Sequence, residues 1–259
     1  MNMRYNTSLV ECGAVIQESL ILLAEYQKTP DWSEIRSLSY SDNILNKRSS
    51  ARTKKVLRTF RKRYVDADEL PKIESLSLFV TRDLSYTAKT QSLLPYVTRG
   101  DALLSKATHC LVWPRFASSN TSSNLSKSDV MRFFEQEGAT HQEMQAWSPK
   151  VVERWIQHFL AVLREFDLME KSPRTNLKKP LVRKEVFAFF CIWLLNEGIS
   201  GIQIFNFPVW KDLLLNADEI EYLLLECHEM GWIEYARAGD IISVTSHYES
   251  PKEWIYGLG

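Results

Sequence analysis

The sequence is poor in the residues that build ligand-binding loops and metal centres. Glycine occurs only nine times in 259 residues, and neither a Gly-x-Gly-x-x-Gly fingerprint nor a Gly-Lys-Ser/Thr phosphate loop is present. Four cysteines lie far apart, and five scattered histidines show no zinc spacing. We therefore expect no metal or nucleotide cofactor, and we expect the cysteines to be reduced thiols of a cytoplasmic protein. The cysteines are Cys12, Cys110, Cys191 and Cys227.

Long apolar segments are also missing. The most apolar run, VFAFFCIWLL at Val186–Leu195, has ten residues, whereas a membrane-spanning helix needs about 20. The N-terminal sequence MNMRYNTSLVECG is polar and carries an early acid, unlike a signal peptide. We expect the apolar run to form a buried helix and the protein to have no membrane partner.

Net charge is absent as well, because 32 basic side chains balance 32 acidic ones. The charges are unevenly distributed, however. Residues 46–64, NKRSSARTKKVLRTFRKRY, contain nine Lys and Arg and no acid. Placed on a helix that Ser49 or Ser50 caps, this segment has one apolar stripe and a cationic remainder. The stripe consists of Thr53, Val56, Leu57, Phe60 and Tyr64.

Such a cationic face repels itself, and phosphates would relieve the repulsion. We therefore interpret the segment as a candidate contact with a nucleic-acid backbone. A solvated face or an acidic protein partner is the alternative, and a membrane surface is disfavoured because the stripe is narrow and lacks Trp. The candidate contacts are Lys47, Arg48, Arg52, Lys54, Lys55, Arg58, Arg61, Lys62 and Arg63.

The remaining pattern predicts a mainly α fold with winged helix-turn-helix-like modules and short β-hairpin wings. Apolar periodicity predicts a helix over Leu9–Tyr26 and a second, capped by Asp31 or Ser33, through Leu38. Residues 72–112 are expected to be helical in pieces, interrupted at Pro95 and Gly100. The polar stretch SSNTSSNLSKS, residues 118–128, is the clearest internal boundary. We divide the chain into segments 1–71, 72–125, 126–185 and 186–259.

Residues 126–185 have the order of a winged helix. Ser128 or Asp129 is expected to cap a helix to Glu137, and Ser148-Pro149 begins a second helix. A hairpin of Leu168–Glu170 with Leu181-Val182 should follow. Wings often contact phosphates, although any surface hairpin tends to be charged. The candidate contacts here are Lys171, Arg174, Lys178 and Lys179 in the wing, with Lys150 and Arg154 in the preceding helix.

The C-terminal segment has the opposite charge. It is expected to contain a second hairpin, with strands Trp232–Tyr235 and Ile241–Thr245 joined by a turn at Ala238-Gly239-Asp240. Because acids would repel DNA, we interpret this segment as a scaffold or protein-contact element despite its possible winged-helix shape. The acids are Asp212, Asp218, Glu219, Glu221, Glu226, Glu229 and Glu234.

Three stretches carry a resemblance to a known family: YNTSLVECGAVIQESLILLAEY, NKRSSARTKKVLRTFRKRY and WSPKVVERWIQHFLAVLREFDLME. They resemble the BrxA family, small components of BREX (bacteriophage exclusion) systems. The resemblance implies a helical or winged-helix-like protein, similar to the antitermination factor NusB, that binds double-stranded DNA, contacts other BREX components and is not a catalyst. The implied DNA-facing residues are Lys47, Arg48, Arg52, Lys55, Arg58 and Lys62, and less directly the wing at 171–179.

Three functional hypotheses remain. The first is a non-catalytic protein that binds double-stranded DNA in a phage-defence complex. The second is a NusB-like RNA-binding protein, and the third is an adaptor whose basic helix docks an acidic partner. Acids at Asp66, Asp68 and Glu69 adjoin the basic segment, but no nuclease motif accompanies them. Because Phe60 and Tyr64 lie on the buried stripe, the segment favours duplex over single-strand binding.

Overall fold

A computed structural model of the protein describes residues 5–117 and 123–258. Helices dominate these ranges, so the mainly α prediction is confirmed. The first helices are α1 (Ser8–Cys12), α2 (Ile16–Lys28), α3 (Trp32–Ser41), α4 (Ser50–Phe60), α5 (Ile73–Thr81) and α6 (Tyr86–Arg99). Next come α7 (Ala102–Ala107), α8 (Trp113–Ala117), α9 (Lys127–Gly138), α10 (Gln142–Gln145) and α11 (Pro149–Glu165). The C-terminal elements are α12 (Lys184–Asn196), α13 (Ile202–Phe205), α14 (Val209–Asp212), α15 (Ala217–Glu229), β1 (Glu234–Ala238), β2 (Ile241–Thr245) and α16 (Pro251–Tyr256).

Two short π-helical segments complete the helical part. Arg61–Val65 continues α4, and Thr108–Val112 joins α7 to α8. The part of the predicted boundary loop at residues 118–122 lies outside the described residues.

Several helices begin at a side-chain cap. Asp31 caps α3, as predicted, by accepting a hydrogen bond from the Ser33 amide at 2.7 Å. The predicted cap of α9 at Ser128 or Asp129 is wrong, because Ser126 holds that position. The Ser126 hydroxyl accepts from the Asp129 amide at 3.2 Å, and the Asp129 carboxylate accepts from the Ser126 amide at 2.8 Å. This reciprocal pair satisfies two amides that the first turn leaves free.

Two predicted helix boundaries differ from the structure. The expected helix over Leu9–Tyr26 is broken between α1 and α2, where Gly13 has φ = 66° and Val15 has φ = 50°. The apolar period continues across this break, so the sequence pattern conceals it. Conversely, Pro95 lies inside α6 and does not interrupt it, whereas Gly100 ends that helix as predicted.

The apolar run forms the buried centre of α12. Every side chain from Val186 to Leu194 is buried, because α6, α15 and α16 pack around the helix. Phe189 stacks on Phe79 of α5 with ring centroids 4.8 Å apart. The prediction of a buried helix is confirmed, and none of the helices in the described ranges is long and apolar enough to cross a membrane.

The two hairpins were predicted with unequal success. β1 and β2 pair antiparallel around Gly239-Asp240, as expected, and Gly239 takes φ = 61° in the turn. The second strand has the predicted bounds, but the first is Glu234–Ala238 and not Trp232–Tyr235, and Ala238 pairs with Ile241 in place of lying in the turn. In the first hairpin, residues 168–170 pair with 176–178 and not with Leu181-Val182. Met169 bridges Leu177, and Leu181 is 87% exposed. Leu177 is a single apolar residue between polar neighbours, so it gave no strand signal of its own.

Packing crosses the predicted segment boundaries. α2 packs along α5, and α1 contacts both α4 and α11. A buried polar cluster also joins distant parts of the chain. The fully buried Asp212 of α14 accepts a hydrogen bond from Arg99 Nε at 2.6 Å and lies 2.9 Å from His109 Nε2. The division into four segments remains a prediction.

Gly100 is expected to tolerate no side chain. A Cβ atom at this position would lie 2.5 Å from Cγ of Arg63 and 2.9 Å from the Tyr96 carbonyl oxygen. We expect Gly100→Ala to lower the free energy of unfolding by roughly 1–3 kcal/mol, because the overpacked neighbours must shift. Urea unfolding followed by tryptophan fluorescence measures the loss. Gly138→Ala is the control, since a Cβ there meets nothing within 4 Å. Equal midpoints for the two variants would contradict the prediction.

Candidate nucleic-acid interface

The basic helix α4 is anchored by its apolar stripe. Its N-terminus is capped by Ser49, whose hydroxyl accepts from the Arg52 amide at 3.3 Å. The ring of Phe60 stacks on Trp32 of α3 and contacts Tyr64, with centroids 5.4 and 4.8 Å apart. The predicted stripe is confirmed, because all of its members are buried: Thr53, Val56, Leu57, Phe60 and Tyr64. The other face of the helix is thereby fixed toward solvent.

Four cations on or beside that face are exposed and unpaired. Arg48, Lys54, Lys55 and Lys62 form no ion pair with any residue in the described part of the chain. The backbone of Lys54, Lys55 and Lys62 is already ordered in helical structure, so little backbone freedom would be lost when these side chains bind an anion. These four side chains are the strongest candidates for phosphate contacts.

The remaining cations of the segment have partners from elsewhere. Lys47 pairs with Glu18 at 2.6 Å. Arg52 donates to the Glu11 carbonyl at 2.7 Å, and Arg58 pairs with the Glu11 carboxylate. Arg61 pairs with Asp66 at 3.2 Å. The segment has no acid in its own sequence, but folding brings acids from other parts of the chain to its edges. Fewer of its cations are therefore unpaired than the sequence suggested.

Arg63 is not part of the surface, and its assignment to the interface is wrong. The side chain is 4% exposed and donates to the carbonyls of Gly13 and Ala14, at 2.8 Å each. Burial lowers the pKa of Arg63. Its position explains the error, since residue 63 follows Val56 by seven and Phe60 by three and so falls on the apolar stripe. The guanidinium fills the break between α1 and α2 instead of reaching a phosphate.

The helix α11 and the wing supply a second, weaker set. Lys150, Arg154 and Lys171 are exposed and form no ion pair within the described residues. Three wing cations are paired. Arg174 lies 3.8 Å from Glu170, Lys178 pairs with Asp167, and Lys179 lies 2.9 Å from Glu219 of α15.

The structure brings α4 and α11 together across α1. His158 of α11 is half-buried, and its pKa is lowered by burial and by the nearby charges of Arg154 and Arg52. Two cations from different predicted segments therefore act on one imidazole. Arg52 of α4 and Arg154 of α11 therefore both lie close enough to His158 to influence its protonation.

Sequence reasoning missed the third helix of this region. Trp32, Arg36 and Tyr40 lie four residues apart and therefore share one face of α3. Together with Lys54 and Arg58 of α4 they line a groove of about 440 Å³. The four-residue spacing was visible in the sequence, but nothing there indicated that this face adjoins the basic helix.

A further feature is the placement of the possible metal ligands and reactive groups. In residues 5–117 and 123–258, no three His, Cys, Asp or Glu side chains are placed to hold a metal ion. Asp68 and Glu69 are exposed on the surface after the basic segment. All four cysteines are free thiols, three of them buried, and burial raises the pKa of Cys191 to about 12.

Comparison with known protein families identifies the family of this chain. The BrxA family model matches residues 3–191. The chain belongs to the BrxA family. The family associates the chain with BREX phage defence, and the match includes every candidate contact described above.

A solved structure shares the fold of this BrxA-family chain. The crystal structure of an uncharacterized protein from Magnetospirillum magneticum superimposes with a TM-score of 0.60 at 18% identity. The alignment covers 76% of this chain and 94% of that protein. At this identity the likeness speaks for the fold alone. No curated protein matches the chain.

Proposed function

We propose that the protein is a non-catalytic accessory component of a BREX defence system that binds the phosphates of double-stranded DNA. The observation that carries the proposal is a set of exposed, unpaired cations on and beside α4, a helix whose opposite face is fixed in the core. Arg48, Lys54, Lys55 and Lys62 have no acid to neutralise them within the described residues. Their contact with phosphates would release counterions and favour binding.

The second set of cations extends the surface. Lys150 and Arg154 lie on α11, the helix that precedes the wing, and Lys171 lies at the wing itself. The order of α9, α11 and a short hairpin supports a winged-helix-like module, in which such residues contact the backbone. Because three wing cations are already paired with acids, we assign the wing a smaller share of the binding energy than α4.

Two alternatives share the same surface. A NusB-like RNA-binding protein would use the cations on an RNA backbone, and an adaptor would use them on an acidic partner, such as another BREX component. A duplex is favoured over both because the aromatic residues of the basic segment itself, Phe60 and Tyr64, are buried and leave only its cations to make contact.

A salt titration tests the proposal directly. We expect binding to a labelled random-sequence DNA duplex to weaken linearly on a plot of log K against log salt. Four contacted phosphates predict a slope of about −3.6, from −0.9 per phosphate. The same titration with duplex and single-stranded RNA tests the first alternative. Failure to bind either nucleic acid at low salt would favour the adaptor.

Charge reversal locates the contact. We expect Lys54→Glu, Lys55→Glu and Lys62→Glu together to weaken duplex binding at least tenfold at about 0.1 M salt and to make the slope shallower by about 2.7, that is by about 0.9 for each lost contact. Folding should be unaffected, because all three side chains are exposed.

The matched control has the same change in net charge at exposed lysines elsewhere. Lys28→Glu, Lys211→Glu and Lys252→Glu should leave the slope near the parental value. If both triple variants lose affinity equally, the effect comes from net charge and α4 is not the specific contact.

A further inference from the structure

The groove between α3 and α4 has features that a duplex backbone alone would not use. Its floor and walls include Trp32, Tyr40 and Leu57, and its rim carries Arg36, Lys54 and Arg58. Its volume of about 440 Å³ lies within the usual range of small-ligand sites, about 300–1,000 Å³. We propose that this groove binds an unpaired nucleotide of a DNA strand that leaves the duplex held on α4. The inference rests on the proposed function and deepens it.

The charge of the groove requires an anionic occupant. Five cations line it; Arg58 is paired with Glu11 and Arg61 with Asp66. The other three, Arg36, Lys54 and Lys55, form no ion pair within the described residues. Lys54, Arg58 and Arg61 follow one another along the helix at four- and three-residue spacing, about one cation every 4.5–6 Å. A regular row of this kind matches the evenly repeated charge of a nucleic-acid strand.

The aromatic side chains require a flat, apolar occupant. The indole of Trp32 is half-buried and braced by Phe60, with nearly parallel rings at an interplanar angle of 16°. Tyr40 is 43% exposed at the other end of the same helical face. Aromatic side chains beside a cationic track are the arrangement by which proteins hold unpaired bases, since every base has a π-face to stack. An acidic peptide would satisfy the cations and leave these rings without a specific role.

The position of the groove explains why the nucleotide should be unpaired. In a duplex the faces of the bases are covered by their neighbours, so only an unpaired base can enter the groove. Lys54 and Lys55 belong both to the exposed face of α4 and to the groove lining. A strand leaving a duplex on that face therefore passes over the groove while its phosphates remain on the same lysines.

Tailed duplexes test the inference. We expect the protein to bind a duplex with a short single-stranded DNA tail at least fivefold tighter than the same duplex with blunt ends, in line with the stacking of one base. A tail of equal length with abasic sites should lose this preference, because it keeps the phosphates and lacks the bases. An RNA tail shows whether the groove prefers one sugar.

Variants at Tyr40 locate the effect. Tyr40→Ala should abolish the preference for the tail and leave blunt-duplex affinity unchanged, whereas Tyr40→Phe should keep the preference because the ring remains. Tyr222→Ala, at an exposed tyrosine of α15, is the matched control and should behave as the parent. These positions are exposed, so the variants are expected to fold, which circular dichroism checks.

The outcomes separate the two proposals. Equal affinity for tailed and blunt duplexes would overturn the groove proposal and leave duplex binding intact. A preference that survives abasic tails, or that Tyr40→Ala leaves undiminished, also overturns it, since phosphates or another site then account for the effect. Binding of tails without binding of blunt duplex supports the groove and contradicts the proposed duplex function, and binding of neither overturns both.

Discussion

Replacement of Asp212 with alanine is expected to lower the free energy of unfolding by about 3–5 kcal/mol. The carboxylate is fully buried and lies against Arg99 Nε at 2.6 Å and His109 Nε2 at 2.9 Å. Removing it leaves Arg99, whose side chain is only 16% exposed, without its nearest counter-charge. A charge that is buried and has lost its partner costs far more than the pair itself contributes.

The loss of stability should affect the packing of elements that are far apart in the sequence. Arg99 and His109 lie 113 and 103 residues from Asp212, so the cluster connects the N-terminal helices to α14.

Asp212→Asn keeps the shape of the side chain and one hydrogen-bond acceptor, and we expect it to lose less stability than the alanine variant. Urea unfolding gives both the midpoint and the slope, and the slope shows whether the transition remains a single step. Asp218→Ala, at an exposed acid of α15, should change stability by no more than about 0.5 kcal/mol. A loss below about 1 kcal/mol for Asp212→Ala would mean that the cluster does not hold these elements together.

Two neighbouring cations are expected to respond in opposite ways. Arg63→Ala should destabilise the protein by about 3 kcal/mol, because two buried carbonyls lose their donors and a cavity remains. Lys62→Ala should change stability by no more than about 0.5 kcal/mol, since the side chain is exposed.

Binding to a duplex, measured well below the melting temperature, should show the reverse order. Lys62→Ala removes one phosphate contact and should make the slope of log K against log salt less negative by about 0.9. Arg63→Ala should leave that slope unchanged. The pair is matched in sequence position and in charge removed, so only their different locations distinguish them. A stable Arg63→Ala variant with weakened binding would place Arg63 in the interface after all.

The local features of the fold were predictable from sequence because short-range rules determine them. The stripe on α4 follows from helical periodicity, the cap at Ser49 from side-chain chemistry, and the hairpin of β1 and β2 from its Gly-Asp turn. The fully apolar α12 follows from its composition alone. In each case the deciding residues lie within a few positions of one another.

What could not be predicted depends on contacts between distant residues. The break between α1 and α2 is held by Arg63, some 50 positions away, which binds the carbonyls of Gly13 and Ala14. Asp212 was grouped with the surface acids because its partners lie more than 100 residues earlier. The groove likewise needed α3 and α4 to be placed side by side. Charge counted along the sequence therefore overestimated the exposed cations of the candidate site.

The zero net charge of this chain has a consequence for how it would approach DNA. The unpaired cations of the candidate interface lie on or beside α4 and α11, whereas α15 exposes several acids. Such a molecule has an electric dipole although it has no monopole. The field of the DNA first rotates the protein and attracts it only afterwards. The protein therefore approaches the DNA with its basic side forward. Encounters in which another side of the protein faces the DNA would be brief. The protein could thus select its binding orientation without binding DNA tightly and nonspecifically.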